Sequence, residues 1–268
     1  MKDLWVPISG AIAQQQNVET IANNVANANT PGFKKDSLVF KEHLTALERG
    51  YDQDIDLPNK EWKPEDFYRT FGAEKGFVKV DGSYVDHQQG ELTPTGNPFD
   101  LALKGKGLFE VLSENGVRYT RNGSFSISND GFLVTNNGHY VLSRAEGTEP
   151  APPQERRIPI TNKQISINLQ GDIFTGGNKV GTLAITDFKD IHALKKEGHS
   201  LFINNNEENI STTAKTTSYQ GFVEKSNVNA VAEMSNLIKA NRQFESIQRV
   251  IKAYDSISGK AVNELSKF

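Results

Sequence analysis

The chain has no cysteine among its 268 residues, which removes thiol catalysis, thiolate metal sites and disulfide staples together. That absence leaves reducing and oxidising compartments equally open. No run of roughly 18 apolar residues occurs, so no helix of this sequence is suited to crossing a bilayer, and the chain is not expected to span a membrane. Charge of one sign is scarce as well. The 30 basic and 33 acidic side chains leave a net charge of −3, and no basic stretch is interleaved with aromatics, so no nucleic-acid partner is expected. The opening Met1-Lys2-Asp3-Leu4-Trp5-Val6-Pro7 lacks the apolar centre of a secretory signal, because Asp3 and Pro7 interrupt it. Passage out of the cytoplasm is therefore expected to proceed without a cleaved leader.

Reactive constellations are missing too. Asp52-Gln53-Asp54-Ile55-Asp56 begins like a calcium loop, but Leu57 stands where glycine is required and Lys63 where the bidentate glutamate belongs. The histidines at 43, 87, 139, 192 and 199 have no spacing that puts two on one helix face beside a glutamate. Gly198-His199-Ser200-Leu201-Phe202 starts like a nucleophile elbow without its closing glycine. Lys104-Gly105-Lys106-Gly107 is no phosphate loop, and its glycines are expected to permit a bulge or a close backbone approach. No catalytic, cofactor-binding or metal-ligating residue is assigned, and the chain is read as a non-enzyme.

What the sequence does have is a heptad at each end. Ala240, Ile247, Tyr254 and Ala261 recur every seven residues, and Leu237, Phe244, Ile251 and Leu265 form a second track broken at Ser258. The alternating spacing of three and four is the seam of a helix that winds against another helix. Leu4, Ala11, Val18 and Val25 repeat the pattern at the N-terminus, with Ile8 and Ala22 on the other track and Gln15 interrupting it. Two terminal seams point to a part assembled with copies or relatives of itself.

The first helix is expected to start between Asp3 and Ser9, with Pro7 tolerated in its first turn, and to run to about Ala28. It dissolves into an asparagine-rich segment and Thr30-Pro31-Gly32-Phe33, where Pro31 stops the helix and Gly32 suits a positive φ. Two readings of this stretch stay open. It is a helix end with a tight turn, or Asn23, Asn24 and Asn27 bond to neighbouring subunits while Phe33 docks the turn. Residues 1–38 thus form a helix and turn, and 39–75 read as a charged, loop-rich linker with scattered aromatics.

Residues 76–217 carry the strand period. Tyr119, Arg121, Gly123, Phe125 and Ile127 alternate with polar neighbours, and Ser128-Asn129-Asp130-Gly131 and Asn136-Asn137-Gly138 supply turns. Short strands at this spacing predict an antiparallel sandwich or open barrel, with one short helix within Lys189–Lys196. Residues 218–268 complete the helical part, since no glycine or proline occurs from Phe222 to Ser258, a length of roughly 55 Å as helix. The fold class is α+β, with N- and C-terminal helices forming a coiled coil and a central all-β domain of antiparallel sandwich or open-barrel type.

Three stretches in order carry a family resemblance. Asn23-Asn24-Val25-Ala26-Asn27-Ala28-Asn29-Thr30-Pro31-Gly32-Phe33-Lys34 resembles the N-terminal signature of the bacterial flagellar rod and hook proteins. Thr95-Gly96-Asn97-Pro98-Phe99-Asp100 through Phe109, with Tyr119-Thr120-Arg121-Asn122-Gly123-Ser124-Phe125, is similar to the start of their β domain. Gln220-Gly221-Phe222-Val223-Glu224-Lys225-Ser226-Asn227-Val228-Asn229 resembles the entry to their C-terminal helix. Arg242-Gln243-Phe244-Glu245 leans toward the proximal-rod type, with the distal rod and the hook as alternatives.

The resemblance implies a structural subunit of the flagellar basal-body rod. It would polymerise through its terminal helices into a tubular drive shaft, with copies of itself and other rod and hook subunits as partners. The periplasmic rod is the implied location, reached through the flagellar export apparatus, and no cofactor is implied. The assembly interface would comprise Leu4, Ile8, Ala11, Val18, Ala22, Val25, Asn23, Asn24, Asn27 and the turn Thr30, Pro31, Gly32 and Phe33. From the C-terminal helix it would take Leu237, Phe244, Ile247, Ile251, Tyr254 and Leu265. A reading from another class, a periplasmic wall-processing enzyme or carbohydrate-binding module, would need no matching seams at both ends.

Overall fold

A computed structural model describes residues 4–44, 76–144, 151–160, 164–198, 200–211 and 216–265. Helix α1 spans Trp5–Ala26 and helix α2 spans Ala230–Leu265. Pro7 lies in the first turn of α1, where its missing N–H leaves no ladder bond unmade. Past Ala26 the chain closes short turns, with Ala28 N donating to Val25 O at 3.2 Å and Thr30 N to Asn27 O at 3.1 Å.

The strands lie between the helices. First come β1 (Asp36–Leu44), β2 (Gly76–Val85), β3 (Leu92–Pro94), β4 (Leu101–Lys104), β5 (Leu108–Ser113) and β6 (Gly116–Thr120). Next are β7 (Phe125–Ile127), β8 (Leu133–Thr135), β9 (Tyr140–Val141), β10 (Ile165–Ile167), β11 (Asp172–Thr175) and β12 (Asn178–Thr182). The last are β13 (Ile185–Thr186), β14 (Lys195–Gly198), β15 (Leu201–Ile203), β16 (Thr217–Gln220) and β17 (Phe222–Glu224).

The chain divides into two compact units. One gathers Met1–Asn23, Asp36–Tyr84 and Val231–Phe268; the other holds Asn24–Lys35 and Val85–Ala230. The second unit is built on a sheet ordered β14-β15-β6-β5-β9-β8-β7, with β13 also on β5. Smaller sheets β10-β11-β12, β16-β4 and β17-β3 complete it, and every pairing named in this unit is antiparallel. The expected turns are present: Gly131 N donates to Ser128 O at 3.0 Å and Gly138 N to Thr135 O at 2.9 Å, both glycines at positive φ.

Successive residues of β5 point to opposite faces, as the strand period dictates. Phe109 enters a cluster with Leu101, Val111, Phe125 and Ile173, and its ring meets Phe125 edge-on at 5.2 Å. Leu108 enters a second cluster with Tyr119, Phe188, Leu194 and Phe202. The sheet therefore buries both faces. Burying a side chain the size of Leu or Phe stabilises by roughly 1.5–3 kcal/mol, so these clusters are the main source of order in this unit.

Three local expectations change. The start of the charged linker is strand: Asp36–Leu44 pairs with β2, because Leu38, Val39 and Phe40 favour a pleated surface over the loop suggested by the acids that follow. Within Lys189–Lys196 only a 3-10 turn forms, at Ile191–Ala193 and capped by Asp190, before Lys195 enters β14. The glycine-free run from Phe222 begins as β17, and α2 starts at Ala230; the backbone of Phe222–Glu224 is claimed by β3 before a helix can form. The calcium-loop imitation at 52–56 and the linker aromatics lie outside the described residues, as does His199.

Candidate functional site

The three quoted stretches of sequence meet at one place in the β-rich unit. At its centre is the Glu224 carboxylate, 1% exposed. Its Oε1 accepts from Lys34 Nζ at 2.6 Å and from Gly90 N at 2.9 Å, and its Oε2 accepts from Arg121 Nε at 2.5 Å. Two buried cations on one buried anion leave an excess positive charge. Carbonyl dipoles absorb it: Lys34 Nζ also donates to Gln88 O at 2.6 Å, Arg121 Nη2 to Leu103 O and Gly105 O at 2.8 Å, and Arg121 Nη1 to Gly107 O. Burial pulls the Lys34 ammonium below its ordinary pKa, with Glu224 acting against that shift.

The surrounding backbone explains the glycines. Gly32 has φ +68, and a Cβ there would stand 2.4 Å from Asn122 N and 2.5 Å from the Arg121 carbonyl carbon. Only glycine allows both the left-handed turn and that contact. The Gly32 N–H donates to Glu224 O at 2.7 Å, so the turn is fastened to β17 by backbone as well as by charge. Gly105 and Gly107 make the close approach expected of them: a Cβ would meet Thr216 Oγ1 at 2.6 Å and Asp187 Oδ1 at 2.5 Å, respectively.

Phe33 is buried, with Lys196 Nζ 4.0 Å above its ring and donating to Lys34 O at 3.1 Å. Asn227, just before α2, ties the segment that follows α1 to the residue after β2. It accepts from Lys35 N at 2.9 Å and donates to Asp86 O at 2.8 Å. His87 packs nearby, its ring 5.6 Å from His192 and 5.4 Å from Phe202. Burial, then the neighbouring His192 and Lys34, lower its pKa to about 4, so the imidazole is neutral at physiological pH.

The other unit contains a stripe of less exposed residues along α2. Between Val231 and Ile251 the only residues of α2 that are not exposed are Glu233, Leu237, Ala240, Phe244, Ile247 and Ile251, spaced by three and four throughout. Gln14 of α1 reaches this stripe, donating from Nε2 to Ala240 O and to Gln243 Oε1, each at 3.1 Å. On α1, Leu4, Ile8, Ala11, Val18 and Val25 are half-buried, while Ala22 and Asn23 are exposed. The most covered positions are Ala13 and Asn24, neither on the apolar heptad tracks.

Asn27 is half-buried and accepts from Thr30 Oγ1 at 3.1 Å, while Thr30 and Pro31 are half-buried in the turn that buries Gly32 and Phe33. Tyr254 is exposed, and the side chain of Leu265 lies outside the described residues. The structure thus brings Gly32 and Phe33 together with Lys34, Arg121 and Glu224, three charges not singled out as site residues from the sequence. Arg121, between Thr120 and Asn122, is a lone charge inside a recognisable stretch, whereas Lys34 is followed by Lys35 and Asp36 and Glu224 by Lys225, so no local pattern marked the three as one cluster.

The chain matches three family descriptions: "Flagella basal body rod protein" over residues 5–34, "Flagellar hook protein FlgE/F/G D1 domain" over 102–175 and "Flagellar basal body rod FlgEFG protein C-terminal" over 219–264. Flagellar basal-body rod protein FlgF of Caulobacter vibrioides is 30% identical over 98% of both chains. Flagellar basal-body rod protein FlgG of the same organism is 32% identical, covering 96% of this chain and 97% of its own. FlgG of Buchnera aphidicola subsp. Schizaphis graminum is 31% identical at the same coverages.

Proposed function

The chain belongs to the flagellar basal-body rod protein family and is a structural rod subunit of F or G type, and from that premise we propose that it polymerises through its terminal helices. The observation that carries this reading is the stripe on α2. Its spacing of three and four is the period at which one helix keeps the same face toward another over many turns. A seam of single residues with exposed neighbours on both sides is too narrow to make one helix pair rigid. Contacts with adjacent subunits supply the remaining burial, with α1 and α2 winding as a coiled coil.

The interface comprises the seam positions Leu237, Phe244, Ile247, Ile251, Tyr254 and Leu265 with the apolar tracks of α1. Asn23, Asn24, Asn27 and the Thr30–Phe33 turn join them at the exit from the helix. The domain division follows the same logic: 1–38 with 218–268 as the helical part, 39–75 as a connecting excursion and 76–217 as the outer β domain. The partners are further copies and other rod and hook subunits, and the product is a shaft that transmits torque without a substrate. Delivery through the flagellar export apparatus belongs to the same reading.

The Arg242-Gln243-Phe244-Glu245 stretch favours the proximal-rod type. Electron microscopy of basal bodies from cells lacking the chain tests both points. A rod that stops before its distal segment is the expected result. Complete basal bodies with normal filaments would refute the rod role, and a rod that ends beyond its proximal segment would move the assignment to the distal type.

A further inference from the structure

The stripe on α2 does not stop where its cover does. From Lys252 to Val262 every residue is exposed, including Tyr254 at 47%, Ile257 at 65% and Val262 at 67%. Tyr254 and Ala261 continue the spacing of Ile247 and Ile251, with the polar Ser258 between them. The same unit contains a groove of about 430 Å³ lined by Gly10, Ala13, Gln14, Phe40, Val78 and Ile247. Its β2 wall is tied to α1 by Val78 N donating to Ser9 Oγ at 3.2 Å. Phe40 and Val78 remain 42% and 40% exposed. Clefts of roughly 300–1,000 Å³ accept compact apolar groups, so this one accommodates a few side chains rather than a whole helix.

Building on the rod-subunit reading, we propose that the C-terminal reach of α2 in one copy, led by Tyr254 and Ile257, docks into this α1–β1–β2–α2 groove of a second copy. Two unlike surfaces on one chain make a head-to-tail contact, which propagates into an open polymer when its rotation does not close. The charges agree in sign. Residues 249–262 hold Arg249, Lys252 and Lys260 against Asp255, whereas the described parts of β1 and β2 hold Asp36, Glu42 and Asp81 against Lys41 and Lys79. Pairing of two α2 ends with each other would bring the basic segments together and would stop at dimers.

The absence of native cysteine makes the contact directly testable. The full chain carrying Val78→Cys and Ile257→Cys is expressed in place of the native one, and isolated basal bodies are oxidised and run without reductant. A ladder at multiples of the chain mass is expected, with little cross-linking from either single variant. Dimers from Ile257→Cys alone would mean that α2 ends pair with each other and would overturn the proposal. So would a cross-linked monomer, or no ladder from a chain that sits normally in the basal body. If even the unmodified chain is missing from basal bodies, the rod reading itself falls and this contact with it. Should the double-cysteine chain fail to incorporate, a charge swap decides. Ile257→Lys is expected to lower incorporation at least about tenfold, and adding Val78→Asp to restore it; unchanged incorporation of Ile257→Lys or no restoration by Val78→Asp overturns the docking.

Discussion

Replacing Glu224 by glutamine keeps the volume at the centre of the junction and removes the carboxylate that Lys34 and Arg121 share. The carboxylate accepts from Lys34, Arg121 and Gly90, and the three charged side chains are each under 5% exposed. An amide has one acceptor oxygen, so its NH2 must face either an ammonium or a guanidinium. Removing one member of a buried ion group costs about 3–5 kcal/mol, because the uncompensated charge stays buried. A domain of ordinary stability has roughly 5–15 kcal/mol to lose. At an m-value of about 2 kcal/mol per molar urea, Glu224→Gln should move the midpoint of the β-rich unit down by about 1.5–2.5 M. Lys34→Met leaves the Arg121–Glu224 pair and its carbonyl acceptors in place, and a loss of only about 1–2 kcal/mol is expected. In the Lys34→Met/Glu224→Gln double variant the losses should fall short of their sum by about 1–3 kcal/mol, since Lys34→Met removes a cation that Glu224→Gln strands. Urea unfolding by far-ultraviolet circular dichroism measures all three. A Glu224→Gln midpoint equivalent to less than about 0.5 kcal/mol of change, or strictly additive losses, would refute the reasoning.

Gly32→Val forces a branched side chain into φ +68 against Asn122 N, so a cost of at least about 1–2 kcal/mol from the backbone alone is expected, with lower basal-body incorporation; wild-type stability would show that the turn can rearrange. His87 has a folded pKa of about 4, below its ordinary value, so the unfolded chain binds the proton first and stability should fall as pH drops from about 6.5 to about 4. With solvent screening the loss is about 1–2 kcal/mol, and His87→Gln should flatten that limb of a plot of urea midpoint against pH. An unchanged slope would place the acid sensitivity elsewhere. Asn227→Ala strands Lys35 N and two carbonyls, and a loss of about 1–3 kcal/mol in the same assay is expected.

The less exposed stripe on α2 from Leu237 to Ile251 was legible because heptad spacing is a local property with a fixed steric meaning, although Tyr254, on the same spacing, is exposed. The positions marked by Leu237, Ala240, Phe244, Ile247 and Ile251 are the ones the chain covers. On α1 the same method distributed coverage less well. Alanine marks a face weakly, and an ideal helix drifts by about 20° per heptad against a strict seven-residue repeat, so Ala13 is covered while Ala22 is not. The turns at Gly131 and Gly138 followed from glycine chemistry. The Lys34–Glu224–Arg121 cluster was not readable, because its members come from distant parts of the chain and no local period links them. The strand at Asp36–Leu44 was obscured by the charged composition beyond it.

The assembly surface is tested most directly by Phe244→Asp with Ile251→Asp. Both side chains lie half-buried on the stripe of α2 and belong to the helical unit, while the clusters around Phe109 and Phe202 belong to the other. Each carboxylate costs on the order of 1–2 kcal/mol in a half-covered seam and more when a neighbouring subunit closes over it. Basal bodies are isolated from cells making only the double variant, and the thermal transition of the purified chain is recorded alongside. The expected result is a nearly unchanged transition of the β-rich unit, exclusion of the variant from the rod and cells without filaments. Normal incorporation with full motility would contradict assembly through the terminal helices.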